Sequence, residues 1–133
     1  MVQQKGNALK DLGKYEDALG CYDKAISINP EYAETWYNKG LALNDLGRYG
    51  EAVGCYDKAI SINPEYADAW INKGLVFHHL GRYGEAVGCY DKALSINPEN
   101  AGVWNSKGLA LRNLGRTSEA ENCFRKAGEI IRT

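Results

Sequence analysis

Residues 33–66 read AETWYNKGLALNDLGRYGEAVGCYDKAISINPEY and residues 67–100 read ADAWINKGLVFHHLGRYGEAVGCYDKALSINPEN, two segments that agree at 25 of 34 positions. Working outward, the same shift of 34 sets Pro30 on Pro64 and Pro98, Gly40 on Gly6, Gly74 and Gly108, and Trp36 on Trp70 and Trp104. Self-similarity at a fixed period of this length marks a stack of repeated supersecondary units, each too small to bury its own apolar face alone.

Within one period the apolar spacing predicts two short helices. Trp36, Gly40 and Leu43 recur every three to four residues up to Leu46-Gly47, where glycine can take the left-handed conformation that ends a helix. A first helix is therefore expected over residues 34–46. Ala52, Tyr56, Ala59, Ile60 and Ile62 form a second periodic run that stops before Asn63-Pro64, because the residue preceding proline is pushed out of the α region. The second helix is expected over residues 51–62. Glycine inside a helix costs about 1 kcal/mol relative to alanine. Recurrence at Gly6, Gly40, Gly74 and Gly108 thus points to close contact between the helices, with Ala52 and Ala59 narrowing the same seam and tyrosines filling the wider gaps.

A 34-residue hairpin carrying Trp36, Gly40, Tyr49, Ala52, Tyr56, Ala59 and Pro64, repeated as Trp70, Gly74, Tyr83, Ala86, Tyr90, Ala93 and Pro98, resembles the tetratricopeptide repeat. The resemblance covers essentially the whole chain. It implies an all-α fold, a right-handed α-α superhelix of antiparallel hairpins whose first helices line a concave face. One departure recurs: lysine (Lys5, Lys39, Lys73, Lys107) stands before the glycine where the family usually has leucine. A lysine there can bury its stem and lift its ammonium to the surface.

The register divides residues 1–133 into one array: a first repeat over 1–32 whose opening helix is clipped, with Val2 where other repeats carry tryptophan, then repeats over 33–66, 67–100 and 101–133. A piece cut from a longer run of repeats is the expectation. The last repeat reads as a cap, because Glu121 and Gly128 replace the apolar pairs Val53 with Ile60 and Val87 with Leu94, and solenoid ends need a polar outer face.

Composition excludes several function classes. A net charge of -1 with interspersed acids and bases builds no field for a polyanion, so nucleic acid is not expected as a partner. No run approaches the roughly 20 apolar residues of a membrane span, and the first residues lack the apolar core of a leader, so a cytoplasmic location is expected. Cys21, Cys55, Cys89 and Cys123 follow the repeat period instead of a ligand spacing, and are expected as small apolar packing residues. His78 and His79 are neighbours on a helix and point about 100° apart, so no metal site is expected. Gly81-Arg82-Tyr83-Gly84 lacks the Lys-Ser/Thr of a phosphate loop. No nucleophile stands with a base in reach. Neither catalysis nor a cofactor is expected.

Function is sought on the face the resemblance makes concave. In the second repeat it would present Tyr37, Asn38 and Leu41; in the third Ile71, Asn72 and Leu75; in the fourth Asn105 and Leu109. Asn38 and Asn72 are equivalent, and a carboxamide can donate and accept at once, matching a peptide backbone. The resemblance adds that asparagines at this place form a backbone-holding ladder in a glycosyltransferase acting on serine and threonine. Tyr37, Leu41, Ile71, Leu75 and Leu109 would form an apolar strip fit for a helix or an extended segment. Family members that hold a C-terminal carboxylate use cations, but the matching places here are Gln3, Asn7, Asn38, Asp68 and Asn72. A neutral or basic partner is therefore expected. The expected function is protein–protein interaction through a bound peptide or helix. The alternatives are self-assembly into a homo-oligomer through exposed terminal faces, or service as an accessory segment of a larger protein.

Overall fold

Every 34-residue period folds as a pair of helices joined by a three-residue turn, because glycine supplies at one point the backbone conformation that other residues resist. Gly13, Gly47, Gly81 and Gly115 have φ of 78°, 77°, 76° and 78°. At the second of these, Arg48 N–H returns to Leu43 O at 2.9 Å and Gly47 N–H to Asn44 O at 3.0 Å, satisfying carbonyls that the helix end would otherwise orphan. In the computed structural model residues 2–132 are described, and among them there are eight α-helices and no strand. They are α1 (Val2–Asp11), α2 (Tyr15–Ile28), α3 (Ala33–Asp45), α4 (Tyr49–Ile62), α5 (Ala67–His79), α6 (Tyr83–Ile96), α7 (Ala101–Asn113) and α8 (Thr117–Arg132). The all-α expectation holds.

The boundaries differ from the expected ones by one or two residues. α3 ends at Asp45, with Leu46 as its C-cap. α4 opens at Tyr49, two residues early, because the Arg48 carbonyl already accepts Ala52 N–H at 3.0 Å. The second helix of each of the first three periods ends as expected before Asn-Pro: Asn63 N–H reaches Ala59 O at 2.9 Å. The Asn63 side chain then accepts from Glu65 N–H at 3.1 Å, as Asn29 does from Glu31 (3.3 Å) and Asn97 from Glu99 (3.2 Å). This is the Asx turn that makes asparagine a natural stop.

The chain forms two compact units, one ending at Ala69 and the other beginning at Trp70. In the first, α1 packs on α2, α2 on α3 and α3 on α4; in the second, α7 packs on both α6 and α8. The hairpin seams are built from alanines with almost no exposure (Ala18, Ala52, Ala86, Ala120) and a fully buried ring, Tyr22, Tyr56 or Tyr90. The helix-interior glycines are the seats of these rings. A Cβ on Gly40 would lie 2.5 Å from Tyr56 Cε1, one on Gly74 2.6 Å from Tyr90 Cε1, and one on Gly108 2.5 Å from Phe124 Cε1. Tyr22, Tyr56 and Tyr90 thus lie directly over Gly6, Gly40 and Gly74, a closer seat than the gap filling that the spacing had suggested.

Two further contacts tie successive hairpins together. Trp36 Nε1–H donates to Pro30 O at 2.9 Å and Trp104 Nε1–H to Pro98 O at 2.8 Å, so the tryptophan pins its helix to the turn before it. The recurrent lysine also turns back to the preceding helix. Lys39 Nζ lies 2.7 Å from Asp23, and Lys107 Nζ 2.7 Å from Asp91, each ammonium also resting near the tryptophan ring of its own helix. An ion pair in register thus adds to the buried stem expected from sequence.

Candidate functional site

The candidate residues fall on the first helices of the hairpins, and their exposure varies from one to the next. In the first unit Tyr37 is half-buried, its ring 5.9 Å from Tyr56 and 5.1 Å from Tyr66. Leu41 is also half-buried, and Asn38 is 8% exposed. Asn38 is therefore largely enclosed by its own unit, where an open amide was expected. The reason is local: α3 is packed on both α2 and α4, and Asn38 lies between Thr35 and Ala42 on the buried stripe.

In the second unit Ile71 and Asn72 are half-buried and Asn105 is exposed. Leu75 and Leu109 are the open apolar residues, at 45% and 39%. These two meet in a pocket of about 160 Å³, whose remaining walls are His78, Ser106 and Tyr90. The pocket brings Leu75 and Leu109 together and leaves Ile71, Asn72 and Asn105 outside its lining.

Each wall is held by its helix. Ser106 Oγ donates to Gly102 O at 3.0 Å, leaving its oxygen free to accept. The His78 ring meets Tyr83 edge-on at 5.0 Å. Tyr90 is seated on Gly74, wholly buried, with no described group within hydrogen-bonding distance of its hydroxyl. Burial pushes that phenol up to about 12, so it stays a neutral donor at ordinary pH. Sequence reading assigned Tyr90 to packing alone. The signal was present in the neighbouring column: Asn7, Leu41, Leu75 and Leu109 are equivalent, and only Asn7 can answer a hydroxyl.

A larger hollow of about 480 Å³ lies on the other side of the same unit, between α6, α7 and α8, with Trp104 in its wall. Several of its charges are matched: Lys107 with Asp91, Arg116 with Glu119, and Arg125 with the Asn122 amide. Such exposed pairs supply little energy. None of the four cysteines is in a disulfide and three of them are buried, and burial lifts the Cys55 thiol to about 11, which keeps it protonated and unreactive. Among the described residues no cluster of metal-ligating side chains occurs and no helix is long and apolar enough to cross a membrane.

Family profiles described as TPR repeat match residues 6–44 and 40–81, and tetratricopeptide repeat profiles match residues 67–100 and 89–122. No curated protein matches the sequence. Among solved structures, a crystal structure of MamA is 30% identical with a TM-score of 0.95, covering 98% of this chain and 77% of that one. A second MamA structure is 31% identical with a TM-score of 0.92, covering 97% and 70%. A third, MamA residues 41 to the end from Desulfovibrio magneticus RS-1, is 24% identical with a TM-score of 0.90 over 98% and 74%, and shows likeness of fold alone.

Proposed function

Because this chain belongs to the tetratricopeptide repeat family, a family of protein-interaction scaffolds, we propose that it binds a segment of another polypeptide through the first helices of its hairpins, and that it is not an enzyme. The observation that carries this reading is the pocket of the second unit, where two exposed leucines, Leu75 and Leu109, flank a buried hydroxyl that has no partner. Apolar walls around a few unmet polar groups are the make-up of a recognition site.

The proposed contact residues are Leu75 and Leu109 with Ile71, Asn72 and Asn105 in the second unit, and Tyr37, Leu41 and the accessible edge of Asn38 in the first. Glu34 and Asp45 are exposed carboxylates on α3, which favours a neutral or basic segment over an acidic one. The competing reading is self-assembly through the exposed terminal faces of the array.

Selection from a displayed library of random peptides tests the reading. Wild-type protein should enrich short segments that bind with micromolar affinity. The double variant Leu75→Ala with Leu109→Ala should weaken them at least about tenfold, since two anchors of roughly 1 kcal/mol each are lost, with melting nearly unchanged because both side chains are exposed. Undiminished affinity in the variant would remove this face from the account. Light scattering over a concentration series separates self-association, which would show as a mass rising with concentration.

A further inference from the structure

Residues 20–33 and 54–67 have the same sequence, GCYDKAISINPEYA, and both copies belong to the first unit, yet they differ in how far they are covered. In the second copy Ala59 is wholly buried, and Ile62 and Tyr66 are half-buried. In the first copy Ala25 is only half-buried, Ile28 is 69% exposed and Tyr32 is 50% exposed. Identical residues cannot cause this difference, so it comes from what is packed against them.

Against the second copy lies an aromatic ring: Tyr37 is 5.1 Å from Tyr66 and 5.9 Å from Tyr56. One period earlier its place is held by Gln3, and that of Trp36 by Val2. Gln3 does not take over the work of the ring, because its amide is committed to α3, donating to Glu34 Oε1 and accepting from Thr35 Oγ1–H. A hollow of about 250 Å³ is left, lined by Val2, Ala25, Ile28 and Tyr32 together with Gln3 and Thr35. Unlike the rings seated on glycines, Ile28 and Tyr32 present their own surface to solvent.

From this contrast we infer that the hollow is a subsite for an aromatic side chain of the bound segment, with a basic residue beside it; the partner's ring supplies from outside the cover that Tyr37 gives Tyr66 from within. The open face of Tyr32 favours a ring over an aliphatic group, because tilted and offset aromatic pairs gain more than the area they bury. The acids within two residues of Tyr32, Glu31 and Glu34, are exposed, and among the described residues neither is held in an ion pair. A lysine or arginine next to the partner's ring meets these carboxylates, and an acidic neighbour is repelled by them.

This subsite rests on the peptide-binding reading, and its test separates the two. Three blocked probes are titrated into the intact ¹⁵N-labelled chain: Ac-Gly-Lys-Tyr-Lys-Gly-amide, the same peptide with leucine in place of tyrosine, and the same peptide with glutamate in place of both lysines. The tyrosine form should shift the amide signals of Ile28 and Tyr32 and bind at least about threefold tighter than the leucine form, the added worth of an aromatic pair. The glutamate form should bind more weakly than the tyrosine form. Tyr32→Asn should erase the preference for tyrosine without lowering the melting temperature, because Asn100 holds the same place in the fourth repeat and caps its helix there, accepting from Val103 N–H at 3.2 Å. Gln3→Tyr with Thr35→Ala, which brings in the Tyr37 and Ala69 found one period later, should erase it by filling the hollow from within. Equal binding of the tyrosine and leucine forms, shifts confined to other residues, or a preference that survives in Tyr32→Asn overturns the aromatic subsite and leaves the peptide-binding reading standing. A mass by light scattering that rises with concentration in the wild type and not in Tyr32→Asn assigns the hollow to a second copy of the chain and overturns the subsite as well. No binding of any form at millimolar concentration overturns the subsite, and the peptide-binding reading falls with it if the library selection also yields nothing.

Discussion

The first and third repeats share the glycine seat, the buried tyrosine and the surrounding alanines, and differ in the one residue that meets the tyrosine's oxygen. Tyr22 is satisfied by Asn7; Tyr90 faces Leu75, Leu109 and a pocket. The difference teaches that one packing solution can be closed in one repeat and left open in another by a single substitution next to the glycine. The closed version contributes stability and the open one stores an unmet hydrogen bond.

Raising the pH tests both versions at once and is expected to have the largest effect. Burial, followed by the nearby Asp11 carboxylate, lifts Tyr22 to about 12, and burial lifts Tyr90 to about 12, against about 10 for a free phenol. Between these values the folded chain keeps protons that the unfolded chain releases. Stability is therefore intact below pH 10 and falls between pH 10 and 12, by up to about 1.4 kcal/mol per tyrosine for each pH unit. Urea unfolding at stepped pH should show the decline, and Tyr90→Phe should make it shallower; an unchanged slope would mean that Tyr90 ionises freely.

Next in size is the glycine seat. Gly74→Ala would put a methyl 2.6 Å from the fully buried Tyr90 ring. Overpacking typically costs 1–3 kcal/mol against the roughly 1 kcal/mol gained in helix propensity, so a net loss of up to about 2 kcal/mol is expected in denaturation. Gly84→Ala and Gly88→Ala, where a Cβ meets nothing within 4 Å, should instead gain a few tenths to about 1 kcal/mol.

The hydroxyls themselves divide the repeats more finely. Tyr22→Phe should lose about 1 kcal/mol, the hydrogen bond to Asn7, whereas Tyr90→Phe should be neutral or slightly stabilising because it removes an unanswered group. Equal losses in the two variants would show that the repeats are not different in the way described. The smallest effect belongs to the lysines. Lys39→Met and Lys107→Met each break a partly exposed ion pair while keeping an apolar stem, and calorimetry should register no more than about 1 kcal/mol, reduced further by salt.

Much of the fold could be read from the period. Gly47 and Gly81 announce their turns because few other residues adopt positive φ, and Asn63-Pro64 announces a helix end because proline dictates the conformation of the residue before it. The candidate site was less legible. Leu75 and Leu109 were identifiable as open apolar residues, but Asn38 was expected at the surface and is enclosed, since two flanking helices cover a stripe that a single helix's periodicity leaves at its edge. Lys39 was expected to lift its ammonium to the surface, but not to find Asp23 there, one hairpin back, sixteen residues away in sequence and adjacent only after packing.

What the sequence determined alone is the set of local events: where each helix begins and stops, that the unit recurs, and which family it belongs to. These depend on backbone conformations that one or two residues impose on themselves. Which ring lies over which glycine, that Tyr22 finds Asn7 while Tyr90 finds no partner, and that two leucines on different helices share a pocket were decided by tertiary structure. Such contacts depend on the distance and rotation between helices, and those are set by the summed packing of many side chains, which no single stretch of chain specifies.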